Sequence, residues 1–351
     1  MSLKIFIFVE KRTKMDLSQK YRNEQEPQKK QRYLNWMTAK GLQEVDGIHT
    51  SPYLDQVAEQ HIEGTLSAYE ASKLIDSYYD VQKDRSVEDY SEEADKVAAR
   101  INILIGEGGF SLSSEELKSI HHRLFEGLYD FAGQFRKNNI IKYEWVLDGD
   151  TVTYGNAYNL ESAVENALRA ERLTPFRQLD QEELVYHFSS FVANLWRIHP
   201  FGEGNTRTTA VFLIKYLRSL GIEVDNTLFE KHSRYFRDAL VRANYTNLKK
   251  EIYADRDFLD NFMASLIQGE QHSFSSRQLH VYAGQEPVRK RLQPQEWEMQ
   301  IRKLIQENPG ITRSQMAQRL NTSIKTIERQ LKKIPSIHYE GSARSGEWKE
   351  D

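Results

Sequence analysis

The sequence contains no cysteine. That absence excludes a disulfide framework, a thiol nucleophile and any cysteine-ligated zinc site, and it makes a cytoplasmic setting the default expectation. Prolines number 8 and glycines 18, too few for a collagen-like or Pro/Gly-rich disordered chain. No apolar run approaches the ~20 residues that a bilayer-spanning helix needs, so no membrane partner is expected. The apolar run near the start, Ile5 to Val9, is shorter than a secretory signal core and leads into Glu10-Lys11-Arg12. No targeting segment is expected; the run reads as a short edge strand or as an untranslated leader ahead of Met15. With 351 residues, 39% of them hydrophobic and 28% charged, the chain can bury a sizeable core and fits two or three domains.

Charge is unevenly spread. The whole chain carries −3, but from Arg289 onward 13 Lys/Arg face 8 Asp/Glu, a net of +5 that leaves −8 for the rest. A mildly acidic body with a basic C-terminal piece directs attention to nucleic acid at that end.

Periodicity predicts a mainly α architecture. Residues 1–48 read as a polar N-terminal extension with no obvious packed core. Helical stripes dominate 49–269, among them Val97, Ile101, Leu104 and Ile105, and Leu184, Val185, Phe188, Phe191, Val192 and Leu195. One stretch departs from this: Ile140 to Tyr154 is rich in β-branched and aromatic residues and is split by Asp148-Gly149, which predicts a β-hairpin with a tight turn. Residues 270–294 read as a linker. Residues 295–351 form a second unit: a helix striped by Trp297, Ile301, Leu304 and Ile305, a stop at Asn308-Pro309-Gly310, a Thr312 cap, and a further helix from Ile324 after the turn at Asn321-Thr322-Ser323.

The chemistry concentrates in Ile198 to Thr208, a short bend between two amphipathic helices. A helix N-terminus following a bend offers backbone N–H groups and a partial positive charge to a phosphate. Gly202 and Gly204 allow close backbone approach. Arg207, inside the helix, suits forked recognition of phosphate oxygens. Glu203 is a hard oxygen ligand suited to Mg²⁺ shared with substrate phosphates. Asn205 can donate and accept, and His199 has the ordinary pKa range of a general base. Each feature alone is commonplace; their joint order within nine residues describes a nucleotide phosphate-transfer site.

That order, HPFGEGNTRTTA from His199 to Ala210, resembles the Fic family signature H-x-F-x-[D/E]-G-N-G-R-x-x-R. His199, Phe201, Glu203, Gly204, Asn205 and Arg207 match it. Upstream, Phe131-Ala132-Gly133-Gln134-Phe135-Arg136 resembles the family's segment before its flap, and the 140–154 hairpin falls at the flap itself. The likeness runs from about His49 to Gly269. It implies protein adenylylation with ATP and Mg²⁺: His199 deprotonates a target hydroxyl, Glu203 holds the metal, Asn205 and the backbone near Gly204 stabilise phosphate oxygens, Arg207 holds the β-phosphate side, and Phe201 anchors the loop. A target peptide would lie along the flap. Two positions depart from the signature. Thr206 replaces the second glycine of that signature, where it would cap the helix or crowd the phosphates. Ala210 replaces the second arginine, which removes a charge-assisted contact worth about 1.5–3 kcal/mol.

Family members often carry an inhibitory [S/T]-x-x-x-E-[G/N] helix. Residues near 55–64, ending in Glu63-Gly64, resemble it except that Glu59 stands at the Ser/Thr position. The resemblance implies a regulatory role for Glu63, acting on the second arginine or, in its absence, on Arg207. The C-terminal unit resembles a winged helix, with Thr322, Ser323, Lys325, Thr326, Arg329 and Lys333 on or near one exposed side and a short hairpin from Ile337 to Trp348 as the wing. DNA is the partner that implies. Two alternatives stand beside adenylylation: a DNA-binding regulator whose core only senses a nucleotide, and removal of AMP from a modified protein with Glu63 positioning water. The oligomeric state stays open.

Overall fold

A computed structural model describes residues 17–81, 91–224, 227–283, 294–320, 322, 324–341 and 346–350. The Ile5–Val9 run, Asn321, Ser323 and residues 284–293 of the expected linker lie outside them. Short helix α1 (Leu17–Tyr21) precedes α2 (Pro27–Gly41), a 3-10 turn (Leu42–Asp46), α3 (Pro52–Ile62), α4 (Ala68–Val81), α5 (Ser91–Gly106) and α6 (Ser114–Phe125). The hairpin strands β1 (Tyr143–Glu144) and β2 (Asp150–Thr151) lead to α7 (Leu160–Arg172), α8 (Gln181–Ile198), α9 (Asn205–Ser219), α10 (Thr227–Ala243) and α11 (Asp257–Gln268).

Local chemistry sets the ends that matter. Asp180 caps α8 through a reciprocal box: its carboxylate accepts from Glu183 N at 2.8 Å, and the Glu183 carboxylate accepts from Asp180 N at 2.9 Å. Ser113 caps α6 and Ser51 caps α3 in the simpler one-sided way. Leu195, Trp196 and Ile198 of α8 lie in one buried cluster with Val211, Phe212, Ile214 and Leu217 of α9, and the two helices pack together, so the bend between them rests on a packed base.

The N-terminal residues correct the expectation of a polar extension. Tyr33, Trp36, Met37 and Leu42 are buried in the same cluster as the helical body, and α2 packs against both α5 and α10. The charged residues from Glu24 to Arg32 mask an apolar stripe that begins only at Tyr33. Gly41 permits the packing, because a Cβ there would stand 2.2 Å from the Phe229 carbonyl oxygen of α10.

The hairpin is present but shorter and looser at its tip than a two-residue turn. Tyr143 pairs with Thr151 and Glu144 with Asp150, while Trp145–Leu147 forms a 3-10 turn. Asp148 and Gly149 both adopt positive φ, 56° and 81°, so the Asp-Gly pair supplies the reversal that the sequence pointed to.

The C-terminal unit has its own core, built by α12 (Pro294–Glu307), α13 (Arg313–Arg319), α14 (Ile324–Leu331), β3 (Ile337–Glu340) and β4 (Glu347–Glu350). Ile301, Ile311, Met316, Ile327 and Trp348 fill it, and the Trp348 indole donates to the Ile311 carbonyl at 2.7 Å. Thr312 and Gln315 form a reciprocal cap on α13. The antiparallel β3–β4 pair is the expected wing.

Candidate active site

Helix α8 ends at His199, which takes a left-handed conformation (φ 50°, ψ 58°) that a non-glycine residue holds only when its surroundings enforce it. Arg136 does the enforcing. Its Nε donates to the His199 carbonyl at 2.8 Å, Nη1 to the Asn138 carbonyl at 2.7 Å and Nη2 to the Gly155 carbonyl at 2.5 Å, while its backbone N–H reaches Pro200 O at 2.8 Å. A guanidinium at the C-terminus of α8 also complements the helix dipole there.

The imidazole of His199 is only 3% exposed, lying between the Tyr154 ring at 4.3 Å and the Trp196 ring at 5.1 Å. Nδ1 is 3.2 Å from the Trp196 carbonyl, a pairing that assigns the proton to Nδ1, and Nε2 is buried without a partner. Burial, reinforced by Lys142, Arg237 and Arg136, pushes its pKa well below the ordinary histidine value, so the ring is neutral.

The loop that follows is locked by neighbours distant in sequence. Phe201 stacks on His121 at 3.8 Å between centroids. His121 accepts the Gly133 N–H at Nδ1 (2.8 Å) and donates from Nε2 to the Glu203 carbonyl (3.1 Å); burial lowers its pKa to about 4, which keeps it in that one neutral tautomer. Asn205 accepts from Phe201 N at 2.9 Å and donates to Phe201 O at 2.8 Å, so its amide closes the loop on itself. Gly204 caps α9 at φ 74°, where a Cβ would stand 2.3 Å from the Phe125 ring, and Gly202 lies against Phe131.

The charged residues divide. Glu203 is largely exposed and meets Lys142 of the hairpin segment at 2.8 Å. Arg207 is 1% exposed and sits over the Phe125 ring, with Nε 2.8 Å from Asp46, Nη2 2.8 Å from Glu93 and Nη1 3.1 Å from the Gln43 side chain. Burial opposes its charge, and Asp46, Tyr129 and Glu93 outweigh that opposition and raise its pKa. Thr206 neither caps the helix with its side chain nor stands loose: its hydroxyl accepts from the Trp196 indole at 2.9 Å. Ala210 is fully buried.

The structure thus brings His199, Phe201, Gly202, Glu203, Gly204, Asn205, Thr206 and Arg207 around one bend. Glu63 is elsewhere engaged. It follows α3 at the surface, where Lys29 at 2.6 Å, with the Tyr21 hydroxyl and Lys20, holds its pKa at about 2. The pairing with Arg207 that the sequence left open for Glu63 is made by Asp46 and Glu93. No sequence signal singled out Asp46, Glu93, His121 or Tyr154, because their roles depend on helices that meet only in the fold. A cavity of about 470 Å³ lies at the opposite end of α8, lined by Asp180, Glu183, Tyr186 and His187, and takes no part in this site.

Residues 111–217 match the Fic/DOC family and residues 299–333 match a winged helix-turn-helix DNA-binding family. A Fic/DOC segment thus precedes a winged helix-turn-helix segment in this chain. It is 30% identical over 179 residues to protein adenylyltransferase VbhT of Bartonella schoenbuchensis, covering 50% of this chain and 33% of that protein. It is 32% identical over 128 residues to a protein named as a probable protein adenylyltransferase, y4lH of Sinorhizobium fredii, covering 36% of this chain and 62% of that protein. The chain therefore spans a third to about three fifths of these curated relatives. A solved Fic family protein from Desulfovibrio desulfuricans is similar at TM-score 0.46 and 13% identity over 93% of this chain and 88% of its own. Among the described residues no helix is long and apolar enough to cross a membrane.

Proposed function

We propose that this chain is a protein adenylyltransferase that moves AMP from ATP to a hydroxyl side chain of a target protein. The observation that carries this reading is His199: a buried neutral imidazole whose Nδ1 is committed to a backbone carbonyl and whose Nε2 is unpartnered. Such a nitrogen is suited to accept a hydroxyl proton. In the reaction, Nε2 takes the proton of a Ser, Thr or Tyr hydroxyl. The oxygen bonds to the α-phosphorus of ATP, the bond from that phosphorus to the bridging oxygen breaks, and pyrophosphate leaves.

The N-terminus of α9, with Gly202 and Gly204, and Arg207 bind phosphate oxygens. Asn205 acts by holding the loop shut on itself, through its two contacts with Phe201. Glu203, an exposed carboxylate beside that helix end, fits Mg²⁺ shared with substrate phosphates; bound there, the cation would neutralise phosphate charge. The target segment lies along the 140–154 flap. That flap also supplies Tyr154, which covers His199, and Lys142, which holds Glu203, so substrates enter as the flap lifts.

A second reading, a DNA-binding regulator with a nucleotide-sensing core, is favoured by the winged helix, whose α14 end exposes Arg329, Lys332 and Lys333. Labelled ATP with Mg²⁺ separates the two. We expect label on protein from the wild type, and a loss of at least ~100-fold with His199→Ala, the smallest usual contribution of a general base. No label with any nucleotide, together with specific duplex binding, would establish the regulator instead.

A further inference from the structure

Helix α9 offers one guanidinium to a triphosphate, because position 210, nearly one turn beyond Arg207, is a buried alanine. A second guanidinium reaches the same region from α10. Arg237 Nη2 lies 3.0 Å and 2.8 Å from the two carboxylate oxygens of Glu144, which is 1% exposed on strand β1. The same Glu144 carboxylate accepts from the Tyr154 hydroxyl at 3.3 Å, and the Tyr154 ring is the one tilted against His199 with centroids 4.3 Å apart. Arg237 is among the cations that disfavour protonation of His199, and it feels Asp46, the carboxylate that pairs with Arg207. Arg237 thus connects to His199 through Glu144 and Tyr154, and each guanidinium is matched by carboxylates: Asp46 and Glu93 on Arg207, Glu144 and, at 3.9 Å, Asp238 on Arg237.

We infer that Arg237 is a second phosphate-binding residue of this site, held by Glu144 until the terminal phosphates of a nucleoside triphosphate displace that carboxylate. The inference rests on the phosphate-transfer reading of the α8–α9 bend and deepens it. A buried ion pair adds little net stability over an apolar pair, so stability alone is a poor reason for a guanidinium here. Beside a phosphate site the same group supplies forked, charge-assisted recognition. The exchange also links ligand to flap: once Arg237 turns to phosphate, β1 loses its tie to α10, and the Glu144 carboxylate that accepts from Tyr154 loses its anchor.

The test compares Arg237→Ala, Arg237→Lys and Glu144→Gln in the full chain, measuring ATP and AMP affinity calorimetrically with Mg²⁺, and thermal stability for each. A merely structural pair predicts that losing either partner harms binding alike. Phosphate recognition predicts opposite signs. Arg237→Ala weakens ATP at least tenfold while AMP changes less than threefold, Arg237→Lys recovers part of the loss, and Glu144→Gln tightens ATP severalfold by removing the competitor. Unchanged ATP affinity in Arg237→Ala, or equal losses in Arg237→Ala and Glu144→Gln, overturns the inference. Wild type that binds ATP without transferring AMP overturns the proposed function and leaves Arg237 to be judged by those signs. Wild type that binds no ATP overturns both.

Discussion

Two Glu-Gly pairs next to helix ends match family patterns in this protein, Glu203-Gly204 and Glu63-Gly64, and the fold treats them oppositely. At the end of α8 the chain enters a bend in which nearly every residue has a partner far away in sequence: Arg136 on the carbonyls, His121 under Phe201 and on Glu203 O, Phe125 against Gly204. At the end of α3, Glu63 meets Lys29, Lys20 and Tyr21 at the surface, and a Cβ on Gly64 would meet only the Arg32 side chain, at 3.5 Å. A pattern of nine residues that constrains backbone, packing and charge together carries geometry with it. A two-residue match at a solvated helix end does not, because its side chain can be satisfied by any nearby cation.

The contrast breaks most visibly at the glycines. Gly204→Ala adds a Cβ into the Phe125 ring at a positive φ, so we expect about 3 kcal/mol of lost stability, the sum of left-handed strain and overpacking, read from denaturant unfolding. A cost under 1 kcal/mol would show that the bend is pliable.

His121 sharpens the comparison through pH. Its folded pKa of about 4 lies below the ordinary value of 6.5, so the unfolded chain takes up a proton first as pH falls. The contribution of His121 is intact above about pH 6.5 and is progressively lost as pH falls toward 4. The stability gap between wild type and His121→Asn should therefore shrink by about 2 kcal/mol between pH 7 and pH 5. Comparing the two proteins cancels Asp95 and Asp238, whose carboxyls burial pushes up to about 6 and which act in the opposite direction over the same range. A constant gap would mean that the ring is not held neutral.

The smallest effect belongs to Glu63→Gly. Its exposed ion pairs predict a stability change of about 1 kcal/mol or less, and its distance from Arg207's partners predicts a rise in self-modification below about threefold. A large rise in transfer would return Glu63 to the site and overturn the contrast drawn here.

Much of the bend between α8 and α9 was legible in the sequence because it is local. The His-to-Arg spacing, the two glycines and the flanking amphipathic helices lie within one stretch, and so did the hairpin's Asp-Gly and the wing of the C-terminal unit. Thr206 was legible as a departure, but its use was not, since the Trp196 indole that donates to it lies across the bend. The N-terminal helices were misjudged because charge density up to Arg32 hid a stripe beginning at Tyr33, whose burial against α5 and α10 no local pattern announces.

By itself the sequence determined the helical character, the bend with its imidazole, carboxylate and guanidinium, and the basic winged unit, all of which follow from periodicity, capping and spacing along a few turns. Only the tertiary structure decided which acids hold Arg207, that Tyr154 lies over His199, and that Arg237 of α10 pairs with the Glu144 carboxylate that also holds Tyr154. Those relations join residues 46, 93, 154, 207 and 237, and contacts across such separations are fixed by how helices pack into one core rather than by anything written between neighbouring residues.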